Sequence, residues 1–402
     1  MAHTSWPWWS SLWLVLPLFG CTSEGETKPP TEPPPSGSCE PGEYQTEGGG
    51  CCPAGTTALD DGSCQPAGIA AEFCHEGFIS DGEQGCEAVL PVESCGVGEM
   101  AVPGETSCRA VAPCGSGAWG DIPVEPDTQH VDGSYVAGDS DGSSAKPWTT
   151  IQEGIDKAGQ GAIVAVAAGS YGEDLYITGK PVRLWGRCPA MVEVVGTGAE
   201  FGAVSVHDGA AQSQIRALAI TGAGPAVVVS GSTDVLLDSL WIHDSTHVGV
   251  DVESVYGPTS VLLQHSLVER SQLVGVLVVG AELTMERSVL RTTLQATSGS
   301  YAGQFGFGAS VEDDAVNGAD GSLTIRGSLV EQNVGVGVYA VGGSVVLEST
   351  VLRDTLVGTQ GAHGRGLVLE ENDSSGRRGD GVVSGCVFTD NREHGLAFSA
   401  GS

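Results

Sequence analysis

From about residue 210 the apolar positions fall into short runs separated by glycine and polar residues. The runs align by their triplets: Leu240-Trp241-Ile242, Ser266-Leu267-Val268, Ser288-Val289-Leu290, Ser328-Leu329-Val330, Thr350-Val351-Leu352 and Cys386-Val387-Phe388. Successive triplets are 26, 22, 40, 22 and 36 residues apart, so a unit of 22 carries insertions of 4, 18 and 14. A fixed period in the low twenties predicts a solenoid. The Leu-x-x-Leu-x-Leu-x-x-Asn signature of leucine-rich repeats is absent, and the alternating Val, Leu and Ile runs predict strands. Three strands per turn make a parallel β-helix.

Reading down the units gives columns. Val235, Val261, Leu283, Leu323 and Val345 form one, and Leu237, Leu263, Met285, Ile325 and Leu347, two residues on, form the next. Period two puts both on one face, expected inward. A third inward column is Ile242, Val268, Leu290, Val330 and Leu352, with Phe388 below. Ser266, Ser288, Ser328, Thr350 and Cys386 precede it and are expected to stack as a hydrogen-bonding ladder. Gly249, Gly275, Gly337 and Gly395 recur eight residues past each triplet centre, consistent with a tight corner or a dense layer. His243, Glu269, Arg291, Glu331 and Arg353 follow the triplets with alternating sign, and are expected to form an outward ladder of exposed ion pairs.

Upstream, Thr150 and Glu153 have capping-box spacing, and Ile151, Ile155 and Ala158 share one face of a short helix. That helix would cover the open first coil, with Ala162 to Ala167 and Asp174 to Ile177 as first strands. The string GSSAKPWTTIQEGID followed by VAVAAGSYGEDLYI resembles the N-terminal end of right-handed parallel β-helix proteins of the pectin lyase-like superfamily, with PbH1-type repeats. The resemblance spans about residues 130 to 402, implies an all-β right-handed solenoid, and includes polysaccharide lyases and hydrolases. Their activity signatures (Asn-Thr-Asp, Gly-His-Gly and Arg-Ile-Lys in order, or Asp-Pro-His) are absent; Ala362-His363-Gly364 and Glu393-His394-Gly395 do not match.

The chain has 402 residues and a net charge of -33, which excludes nucleic acid and direct electrostatic membrane binding as partners. Its first twenty residues read as a bacterial signal peptide, since the apolar run from Ser11 to Phe19 is too short to span a bilayer. Leu18-Phe19-Gly20-Cys21 resembles a lipobox, implying a lipid anchor on Cys21 and placement at the outer membrane or cell surface. Residues 21 to 38 form a proline-rich tether. Between 39 and 114 a Cys-x-x-Gly unit repeats four times. Its local disulfides would be Cys39 with Cys51, Cys52 with Cys64, Cys74 with Cys86 and Cys95 with Cys108, although spacing leaves connectivity open. This region reads as a stalk, with Cys114, Cys188 and Cys386 lacking evident partners. The whole arrangement resembles myxobacterial Cys-rich β-helix lipoproteins.

Chemistry is expected in the insertions, which fall at two recurrent corners. They carry the paired carboxylates Asp313 and Asp314 as candidate catalytic groups. Tyr301, Asp320, His363, Arg365, Asp373, Arg377 and Arg378 are candidate ligand contacts, beside Glu312 and Asn317. No metal site is assigned and no cofactor is expected; Ca²⁺ is the one ion such loops suggest. Two functions follow: a surface lipoprotein presenting its β-helix to glycan or another surface without catalysis, or an extracellular polysaccharide lyase or glycoside hydrolase. The chain stops mid-turn after Phe398, so a further segment is expected beyond Ser402.

Overall fold

The computed structural model describes residues 39–399 except 47–49, 59–61, 67, 70, 83–84, 200 and 360–362. The signal segment, Cys21 and the tether lie outside the described residues. The chain divides into two compact units between Ala67 and Gly68.

The first unit holds two disulfide-closed hairpins. Glu43–Gln45 pairs antiparallel with Cys51–Pro53 inside the Cys39–Cys51 bridge, and Thr56–Ala58 with Cys64–Pro66 inside Cys52–Cys64.

In the second unit three sheets wind into one solenoid. The first runs from Gln129–Val131 through Ile163–Val166 to Asp380–Ser384, the second from Gly169–Tyr171 to Val387–Thr389, and the third from Leu175–Thr178 to Arg365–Asn372. Each strand pairs in parallel with its counterpart one coil on, in unbroken register. Val235, Val261, Leu283, Leu323 and Val345 lie side by side, as do Leu237, Leu263, Met285, Ile325 and Leu347. All are buried in one continuous core with Ile242, Val268, Leu290, Val330 and Leu352.

The corner between the first and second sheets is made by single residues with left-handed backbone: Ser239, His265, Arg287, Gly327, Ser349 and Gly385. Immediately after each comes a member of the small-residue ladder. The N–H of Leu240 donates to the Ser266 hydroxyl (3.0 Å), that of Ser266 to Ser288 (3.0 Å) and that of Ser288 to Ser328 (3.2 Å). Each hydroxyl donates to a carbonyl of its own coil, as Ser288 does to Glu286 (2.8 Å). Cys386 occupies the same column, its thiol 3.4 Å from the Ser384 carbonyl, which explains a cysteine without a disulfide partner. The glycine column has a packing cause. A Cβ on Gly249, Gly275, Gly308, Gly337 or Gly366 would sit 2.4–2.6 Å from the carbonyl oxygen of the next coil's glycine.

The first coil is covered as expected. Helix Ile151–Lys157 is capped by Thr150, whose side chain accepts from the Glu153 N–H, and buries Ile151 and Ile155. The Glu173 carboxylate accepts from the N–H groups of Ile151 (2.8 Å) and Gln152 (3.0 Å), a position that favours an anion. Gln129–Val131 precedes the expected first strands and pairs with Ile163–Val166. Cys114 bonds to Cys188, closing 74 residues and fastening the segment before the first coil to the solenoid.

Two expectations require correction. The third and fourth cysteine repeats, closed by Cys74–Cys86 and Cys95–Cys108, are not a free stalk but lie against the outer face of the second sheet. Phe78, Met100, Val102 and Val111 pack there on Leu267, Val289, Leu329 and Val351. Consequently the charged ladder is not exposed: Glu269, Arg291 and Glu331 are 2, 5 and 2% accessible. Arg291 donates to the carbonyls of Cys95 (3.1 Å), Gly96 (2.7 Å) and Glu99 (3.1 Å) and pairs with Glu269 (2.7 Å). Glu269 also accepts from the N–H of Gly98 (3.1 Å) and the Trp241 indole (2.9 Å). Burial alone would raise the Glu269 carboxyl, but Arg291, Trp241 and Arg270 together hold it below its ordinary value. The ladder is the polar seam of a clasp.

Candidate functional site

The insertions flank the third sheet on both sides, and its outer face forms the floor of a cleft between them. Two outward columns make that floor. One reads Tyr176, Ser205, Val228, Asp251, Leu277, Ser310, Tyr339 and Val368. The other reads Thr178, His207, Ser230, Glu253, Val279, Glu312, Val341 and Glu370. With rungs about 4.8 Å apart, Asp251, Glu253 and Glu312 lie within two coils of one another.

Along the edge nearer the second sheet runs an aromatic wall. Tyr301 meets Phe305, Phe305 meets Phe307 and Phe307 meets Tyr339 edge-on, with ring centroids 5.5, 5.5 and 5.1 Å apart. The two insertions behind it are tied together: Gln295 donates to the Gly303 carbonyl (2.7 Å) and accepts from the Thr359 N–H (2.9 Å). His363 and Arg365 stand on this side, both directed to Glu393, at 3.4 and 2.7 Å.

The opposite wall is built by loops after Glu253, Glu312 and Asn372. Here the Asp313–Asp314 pair is 4 and 8% accessible and committed to holding loops. Asp314 accepts from the N–H groups of Val316 (2.9 Å) and Asn317 (3.0 Å), from the Asn317 amide (2.6 Å) and from Ser254 two coils back (3.2 Å). Asp313 accepts from Asn372 two coils on (2.6 Å). The intervening coil yields room in each case by a left-handed glycine, for a Cβ on Gly280 would meet Asp314 and Ser254, and one on Gly342 would meet Asp313. Arg377 pairs with Asp320 and Arg378 with Glu371 (3.3 Å), while Asp373 is exposed in the hairpin between Glu371 and Arg378. Between the loops lies a depression of about 580 Å³ lined by Ser254, Pro258, Thr259, Asn317, Asp320 and Ser322, among others.

The structure thus divides the candidates between two walls: Tyr301, His363 and Arg365 on one, and Asp313, Asp314, Asp320, Asp373, Arg377 and Arg378 on the other. Between them are acids that sequence reasoning passed over, apart from Glu312. Burial, with Glu253 and Glu312 nearby, pushes the Asp251 carboxyl up to about 8, and its Oδ1 has no hydrogen-bond partner. Burial likewise raises Glu253, helped by Asp314, and raises Glu312 despite a hydrogen bond from Ser310 (3.2 Å). Tyr339 donates to Glu370, and burial and that carboxylate raise its phenol. The available signal was positional: acids at outward floor positions where other coils place Val, Leu or Ser.

No protein-family model matches the chain, and no curated protein matches it. Among solved structures it is similar to the enzymatically active domain of tailspike protein 2 of bacteriophage CBA120, at 12% identity and TM-score 0.43, covering 70% of this chain and 47% of that one. It is also similar to pectate lyase Pel9A (12%, TM-score 0.36, 65% and 78% covered) and to an alginate lyase from Paenibacillus (12%, TM-score 0.34, 63% and 96%). The chain spans about half the length of the tailspike domain. With three parallel sheets in one winding, this is a right-handed parallel β-helix protein.

Proposed function

We propose that the third-sheet cleft binds an extended glycan, on an exported protein tethered to the cell surface through lipid on Cys21. The observation that carries the reading is the cleft itself. An aromatic wall and a polar wall, each cross-braced between coils, border a floor whose residues repeat once per coil. Aromatic faces suit the apolar faces of sugar rings, and carboxylates and hydroxyls suit their hydroxyls. Titration of the full chain with a panel of soluble oligosaccharides should give saturable binding that Phe307→Ala/Tyr339→Ala weakens about tenfold or more, from the loss of two stacking rings. Wild-type and variant binding alike would remove the cleft from consideration. For the anchor, Cys21→Ser should move the protein out of the membrane fraction.

A second reading, glycoside hydrolysis, is favoured by Asp251. A carboxyl raised to about 8 holds its proton at neutral pH beside the acids Glu253 and Glu312, the division of labour an acid/base pair needs. Reducing-end release that disappears in Asp251→Asn while binding persists would establish it.

A further inference from the structure

Resting on the glycan-binding reading, we infer that the cleft is selective for glycans bearing protonated amines, such as free hexosamine units, and rejects uronate chains. The floor brings Asp251, Glu253, Glu312 and Glu370 outward from three coils, and its outward columns contain no Lys or Arg. Among the described residues no Lys or Arg pairs with Asp251, Glu253 or Glu312, although ion pairs are plentiful elsewhere on the solenoid. The arginines nearest this face are engaged: Arg377 by Asp320, Arg378 by Glu371 and Arg365 by Glu393.

A second observation points to a missing partner. Asp251 Oδ1 is shut off from solvent and accepts no hydrogen bond, whereas buried carboxylate oxygens in this same protein, in Asp313, Asp314 and Glu269, are all satisfied. An ammonium group supplies three donors and one positive charge, which suits the unpartnered Asp251 oxygen and the uncompensated carboxyls of Glu253 and Glu312 beside it. A uronate in the same place would add a further negative charge to a partly desolvated acidic floor in a molecule of net charge -33.

The test compares three probes on the full-length protein at pH 6: a fully deacetylated chitosan hexamer, its N-acetylated counterpart and a galacturonate hexamer, the last with Ca²⁺ and with chelator. The deacetylated probe should bind at least about tenfold tighter than the acetylated one, the scale of one or two charge-assisted hydrogen bonds. Asp251→Asn/Glu253→Gln/Glu312→Gln should abolish that preference, and a preference that survives in this variant overturns the inference. Equal binding of the two overturns the inference and leaves glycan binding standing. Tighter galacturonate binding in Ca²⁺ overturns it in favour of a cation-bridged acidic glycan. Failure of all three probes, together with the wider panel above, overturns the glycan reading too.

Discussion

At the scale of single residues the solenoid is most exacting where coils touch. Gly308 stands under the carbonyl of Gly337 at a distance no Cβ tolerates, so Gly308→Ala should cost about 1–3 kcal/mol through backbone displacement, read as a shift in the urea midpoint. Ser288→Ala leaves the N–H of Ser266 buried without an acceptor and should cost about 1–3 kcal/mol. Cys386→Ser, in the same column, should be near neutral. The Cys386 thiol, raised by burial, should react slowly with a thiol reagent until the protein unfolds. Asp251 is raised by burial too. Its folded carboxyl is raised from 3.8 to about 8, so its contribution to stability is complete below pH 4 and is lost as pH rises to 8. Asp251→Asn should therefore be more stable than wild type at pH 9, by a few kcal/mol at most, with the gap closing toward pH 4.

At the scale of elements, the coils were legible because strand alternation and a 22-residue period leave few other folds. The inward columns expected from the sequence are buried, except that Cys386 and Phe388 in the last coil are only partly so. The clasp was not legible, for a reason visible in the triplets. Their middle members, Trp241, Leu267, Val289, Leu329, Val351 and Val387, point outward, and an unbroken apolar outer column means a covered face. Alternating charges beside it look the same in sequence whether water or another segment lies over them. The site was half legible: insertions marked the walls, but acids on the floor look like ordinary exposed strand residues until neighbouring coils enclose them. The clasp also carries a prediction. Arg291→Met removes one of the two arginines paired with buried Glu269 and the donor to the Cys95, Gly96 and Glu99 carbonyls, which should cost about 1–3 kcal/mol and speed hydrogen exchange in residues 74–108 before the rest. Because the Glu269 carboxyl is lowered, its stabilising contribution is present above pH 4.5 and lost as pH falls through its lower folded value, so the clasp should loosen first in acid.

At the scale of the whole molecule, coupling through the Cys114–Cys188 bridge and the clasp makes the cysteine repeats after Gly68 part of the solenoid's stability. Reduction should lower the melting temperature of the β-helix itself; in the chain-entropy account the 74-residue loop alone contributes about 4 kcal/mol. No helix among the described residues is long and apolar enough to cross a membrane.

The glycine stack has one more consequence. Carbonyl against glycine fixes the rise between coils and leaves no slack to stretch or compress it, so the floor of the cleft is a graduated ruler with marks about 4.8 Å apart. A linear polymer whose repeat differs from that interval by a tenth falls about half a mark behind after five coils. Affinity should then climb with chain length only until the two scales drift apart.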